Sequence, residues 1–218
     1  MENEFKKKIS LRSALGFGCA ALLAACQAKE IEIKLSTEDL RTAANGEAVQ
    51  VSFEAAVGER YTTVDDEKRE DIEKVTLALE KFLPNADIEV DFSGDGYTIE
   101  IEGELTVSNA KPPTGAPYFV SVVGGPLEGS LLITLETSGT YLEFAKEFKT
   151  INAMLKPDEF QPVEFKLKGD GDIALVAGGY VDGRPINFKA YDLSSKRTNI
   201  SFSDGIWKKA AAGFVLLP

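Results

Sequence analysis

The sequence predicts an α+β fold: antiparallel sheets with two main packing helices, in a tandem β-α-β-β duplication suggested by internal likeness. Three observations carry this. Short stretches along most of the chain alternate apolar and polar residues at period two. Two longer stretches, residues 65–83 and 141–155, repeat their apolar residues at helical spacing instead. Gly, Asp, Asn and Pro clusters separate the stretches.

The elements follow in order. Ile31, Ile33 and Leu35 alternate with Glu30, Glu32 and Lys34, the pattern of a half-buried strand. Ser36-Thr37-Glu38-Asp39 reads as a helix start and Asn45-Gly46 as a stop, so a short helix lies between. Val49, Val51, Phe53 and Val57 mark a second strand. Ile72, Val75, Leu79 and Phe82, joined by Leu83, make Asp65 to Leu83 the clearest helix, which Pro84-Asn85 ends. Ile88, Val90 and Phe92 form a strand that turns through Ser93-Gly94-Asp95-Gly96. The next strand carries Tyr97, Ile99, Ile101, Leu105 and Val107 on one face, with Gly103 interrupting. Pro112, Pro113 and Pro117 mark residues 109–117 as a linker or long loop.

Beyond it the plan recurs. Tyr118 to Val123 and Leu131 to Glu136 read as strands around Gly124-Gly125-Pro126. Leu142, Ala145, Phe148, Ile151 and Leu155 define a helix face. Val163, Phe165 and Leu167 form a strand, and Gly169-Asp170-Gly171-Asp172 turns into a strand from Ile173 to Val181. Asp182-Gly183 turns again, and Asn199 to Ser203 is one more strand. Residues 206–217 form a final buried strand or short helix.

Gly94 to Gly103 aligns with Gly169 to Gly178, and each follows a Val-x-Phe strand that itself follows a helix. This suggests two tandem units, 26–110 and 118–218, which bury a shared core or form one compact domain.

Composition narrows the chemistry. Histidine is absent, which removes Ser-His-Asp triads, imidazole bases and His metal sites. The formal net charge is −11, and such a surface repels phosphate backbones, so nucleic acid is not an expected partner. The chain has 218 residues, 44% of them hydrophobic, with 13 Phe, enough to build a core without disulfides.

Residues 1–25 read as an address. Lys6, Lys7, Lys8 and Arg12 precede an apolar run from Ser13 to Leu23, too short to span a bilayer core that takes about 20 apolar residues. Leu23-Ala24-Ala25-Cys26 then resembles the lipobox of bacterial lipoproteins. The resemblance implies cleavage after Ala25, diacylglycerol on the Cys26 sulfur and an acyl group such as palmitate on the new amine. Cys19 would leave with the signal peptide and Cys26 would be acylated; with only 2 Cys in the chain, no free thiol would remain. Gln27 in place of Asp implies, by the same resemblance, the outer membrane. The start of the mature chain, Cys26, Ile31 to Leu35, Ser36, Asp39 and Leu40, also resembles uncharacterised lipoproteins of phages and prophages.

Other constellations have plainer readings. Asp65, Asp66, Glu67 and Glu70 could hold a cation, but at a helix start they also offset the dipole. Asp95, Asp170 and Asp172 offer oxygens to calcium, yet tight turns present too few. Ser108 and Lys111 match a Ser-x-x-Lys pattern but lack the helix that chemistry requires. Trp207 fits core packing, a partner surface or the headgroup zone. The sequence-level expectation is a non-enzymatic, membrane-anchored, periplasm-facing binding module of the cell envelope with a protein partner there. It has no catalytic residues, cofactor or metal, and Cys26 is its one site residue. The alternative is a carboxylate-based hydrolase acting on envelope sugars.

Overall fold

The computed structural model describes residues 28–60, 63–93, 96–151, 163–175, 179–181, 184–186, 190–192, 197–202 and 213–218. The first half holds β1 (Ala28–Ser36), α1 (Thr37–Ala44), β2 (Val49–Arg60), α2 (Asp66–Phe82), β3 (Asp87–Asp91) and β4 (Gly96–Ser108). Next come β5 (Tyr118–Gly124), β6 (Leu131–Thr137), α3 (Tyr141–Ile151), β7 (Val163–Lys168) and β8 (Asp172–Leu175). The chain closes with β9 (Gly179–Val181), β10 (Arg184–Ile186), β11 (Ala190–Asp192), β12 (Arg197–Phe202) and β13 (Gly213–Leu216).

The α+β class holds. The strands join in one sheet of order β10-β9-β12-β7-β1-β2-β4-β5-β6-β13-β8-β11, with β3 paired to β4. The expectation of purely antiparallel sheets is corrected. β1 runs parallel to β7, and β4 runs parallel to β5. Alternation in a sequence fixes which side chains share a face, but both strand directions satisfy it. Residues 109–117, expected as a linker, are the crossover that parallel pairing of β4 and β5 demands.

The sheet curls on itself. Phe165 on β7 and Phe214 on β13 stand far apart along the strand order, yet their rings meet edge to face at 5.5 Å. In β1, β2 and β7 the odd-numbered residues supply the inner face, and in β12 the even-numbered ones do. Ile33 sits between Phe53 and Phe165, and Phe165 pairs on its other side with Ile200; Ile33, Phe165 and Ile200 are fully buried. The even positions of β1, β2 and β7 carry Glu32, Lys34, Glu54 and Lys166 on the other face, linked by Lys34–Glu54 and Lys166–Glu32 ion pairs.

Gly103 interrupts the apolar row of β4 for a steric reason. The Phe53 ring lies over it, and a Cβ there would meet Phe53 Cε1 at 2.8 Å and Ala86 Cβ at 3.1 Å. The glycine is the recess that lets Phe53 reach the core.

α1 closes one end. Ser36 caps it by a reciprocal pair: its Oγ accepts from the Asp39 N–H at 3.1 Å, and its own N–H donates to Asp39 Oδ2 at 2.9 Å. Leu40 and Ala43 are buried beneath it. The Asp170 N–H donates to Thr37 Oγ1 at 3.3 Å, and Asn109 Nδ2 donates to the Ala44 carbonyl at 3.3 Å. Both turns at this end are thereby tied to the helix.

α2 and α3 pack against each other through Phe82 and Phe144, rings 5.4 Å apart, and through Lys81 with Glu147 at 2.8 Å. The inward face of α3 is Phe144, Ala145 and Phe148; Leu142, expected on that face, is exposed. A phase error of this kind arises where a short helix carries apolar residues on two sides.

Units 26–110 and 118–218 both contribute to the one sheet. Residues 49–108 and 131–175 each run strand-helix-strand-strand. β3 and β4 form an antiparallel hairpin, whereas β7 pairs with β1 and β12, and β8 with β13 and β11. Gly169 to Gly171 is thus a corner, and element order recurs without the pairing. The strand expected from Ile173 to Val181 is divided as well: β8 pairs with β13 and β11, and β9 with β12 and β10.

Candidate functional site

Cys26, the residue singled out by sequence, lies outside the described residues, as do Trp207 and Asp95. The structure does define the end of the sheet that continues from it. Only Gln27 separates Cys26 from Ala28, the first residue of β1. Ala28 pairs with Val57 on β2, Val57 with Ile99 on β4, and Ile99 with Val90 on β3. These four residues make one row across the sheet, and α1 lies at the opposite end of β1.

Beyond this row, away from α1, β2 and β4 continue to Glu59 and Tyr97, which face each other. Glu59 keeps the inward register of Phe53, so the alternation carries a carboxylate inward. It is 4% exposed. Lys68 forms an ion pair with Glu59 Oε2, and Glu59 Oε1 has no hydrogen-bond partner among the described residues. The Lys68 ammonium also lies 5.7 Å from the centre of the Tyr97 ring. Asp65 positions this lysine: as N-cap of α2, its Oδ1 accepts from the Lys68 N–H at 2.9 Å. The cap fixes the first turn of α2, and the Lys68–Glu59 ion pair fastens that turn to the end of β2.

Next to Lys68, Arg69 places its guanidinium 4.5 Å from the centre of the Phe92 ring. Phe92, expected on the buried side of a strand, falls just past the end of β3 and is 41% exposed. Sequence reasoning passed over Glu59 and Lys68. The available signal was the parity of Glu59 with Val51, Phe53 and Val57.

The other sequence candidates among the described residues have these surroundings. Asp65 is the cap just described, and Glu70 pairs with Lys74 at 3.1 Å one turn on. Ser108 Oγ accepts from the Ala110 N–H at 3.1 Å, a turn contact, and Lys111 is exposed. Asp170 and Asp172 are exposed, and no group of three or more metal-binding side chains occurs among the described residues. On the outer face, hydrogen bonding to Glu54 raises the Lys34 pKa above its ordinary value, and hydrogen bonding to Glu32 does the same for Lys166. Among the described residues no helix is long and apolar enough to cross a membrane.

Neither the family models nor the curated proteins compared with this chain match it.

Proposed function

We propose that the protein is a lipid-anchored lipoprotein of the bacterial envelope, facing the periplasm and sorted to the outer membrane, that acts as a non-enzymatic binding module. The observation that carries this reading is the order at the N-terminus: a basic segment, a short apolar run, then Leu23-Ala24-Ala25-Cys26, with β1 beginning at Ala28. Acylation at Cys26 supplies the membrane affinity, because two or more acyl chains hold a protein stably where one does not. The partner is another envelope protein, met through the sheet face or its loops, and phage or prophage origin fits the resemblance of the mature N-terminus. A tandem origin for the β-α-β-β segments rests on element order and on the likeness of residues 94–103 to 169–178.

Two experiments test the reading. Cys26→Ser is expected to release the chain from the membrane fraction, and retention of the variant would count against the anchor. Crosslinking in intact envelopes, followed by mass spectrometry, is expected to join the chain to one reproducible protein. A chain joined to nothing would count against the binding module.

A further inference from the structure

We propose that the end of the sheet formed by Phe92, Arg69 and the close of β2 is the surface that rests on the bilayer, and that the occupant of this surface is a zwitterionic lipid headgroup layer. The inference rests on the lipoprotein reading and adds to it the orientation of the domain.

Two residues of extended chain reach at most about 7 Å, so Cys26 stays within about 7 Å of Ala28. Ala28, Val57, Ile99 and Val90 share one row. β3 runs antiparallel to β4, β4 to β2, and β2 to β1, so β3 descends towards the end where β1 begins. Phe92 follows Val90 by two residues, and at a rise of about 3.4 Å per residue it lies about 7 Å beyond the row. The exposed ring and the proposed acylated cysteine are therefore brought to one end, three strand spacings or about 14 Å apart laterally.

The chemistry suits an interface. Phe92 is 41% exposed, with a guanidinium stacked over it that can reach a lipid phosphate while the ring enters the acyl boundary. Val123 and Leu127, also exposed, lie at the far end, around the β5–β6 turn. Asp65, Asp66, Glu67 and Asp91 flank the patch and are exposed, which disfavours an anionic surface and selects a zwitterionic one.

The test uses the full acylated protein in phosphatidylcholine–phosphatidylethanolamine vesicles. Acylation leaves no free thiol, so Phe92→Cys and Asn109→Cys each accept a single environment-sensitive fluorophore; Asn109 is exposed at the α1 end. Vesicles carrying headgroup-depth quenchers are expected to quench the probe at 92 at least about threefold more than the probe at 109. Hydrogen exchange of the unsubstituted protein provides a second measurement. Vesicles should slow exchange at 91–93 and 96–98 and leave 108–111 unchanged. Equal quenching at both positions, or unchanged exchange at 91–93, in protein whose intact mass shows acylation would overturn the orientation and leave the lipoprotein reading standing. Protection that appears on concentrating the protein without vesicles would assign the patch to a second copy, and would also overturn it. An unacylated mature chain would overturn the lipoprotein reading itself.

Discussion

At the scale of single residues, two positions on the β2–β4 pair govern its packing. Gly103 is one, because the Phe53 ring occupies the space its side chain would fill. Gly103→Val is expected to destabilise by about 1–3 kcal/mol, the usual penalty of overpacking. A thermal melt checks this, and an unchanged midpoint would mean that the ring has another place to go. The second position is Glu59 with Lys68. Their side chains are 3% and 16% exposed, so removing the lysine leaves a buried carboxylate. Lys68→Met alone should cost about 3–5 kcal/mol, whereas Glu59→Leu with Lys68→Met should cost much less, because a buried pair repays little beyond its own desolvation. Denaturant unfolding of the three proteins measures the difference. Neither position announces itself by residue type. Gly103 reads as an interruption and Glu59 as one acid among many, and only the ring above the first and the lysine beside the second give them meaning.

At the scale of elements, the short helix α1 shows what local chemistry makes legible. Ser36 and Asp39 stand at the spacing of a capping box, and the reciprocal hydrogen bonds form. Ser36→Ala should cost about 1 kcal/mol of stability in a thermal melt, since the Asp39 N–H loses its acceptor. Strand faces were equally legible: Ile31, Ile33 and Leu35 point inward as their alternation requires. Strand direction was not, because β1 must find β7 across more than a hundred residues and alternation carries no record of that partner. The α3 face shifted because Phe144 outcompetes Leu142 for the pocket beside Phe82 and Tyr118.

The outer ladder of the sheet adds a pH dependence. Hydrogen bonds from Lys34 to Glu54 and from Lys166 to Glu32 raise both lysine pKa values. A raised lysine contributes stability that is complete below its unfolded pKa of about 10.4 and is lost as pH climbs through the higher folded value. Glu32→Gln with Glu54→Gln should therefore lower the melting temperature slightly at neutral pH, since both lysines and Glu54 are solvent-exposed and only Glu32 is largely covered. The gap from the parent should narrow above about pH 10. A gap independent of alkaline pH would show that the carboxylates act by some other route.

At the scale of the whole molecule, the sheet is one cooperative object. Ile33 is paired with both Phe53 and Phe165, so β2 and β7 share a core although they come from opposite halves of the chain. Calorimetry is expected to give a single transition, with Phe165→Ala lowering stability by about 3–5 kcal/mol across all of it. Two separable transitions would mean that the halves fold apart. The candidate site divides in the same way: the proposed lipobox at residues 23–26 rests on residue order alone, while the sheet end that continues from it is defined by strand register.

Whether Cys26 is the anchor is decided first by the intact mass of the mature chain purified from envelopes. The expected product is a polypeptide beginning at Cys26 and carrying a diacylglycerol and one further acyl chain. A chain that begins at any other residue, or that begins at Cys26 without acyl groups, would contradict the anchor.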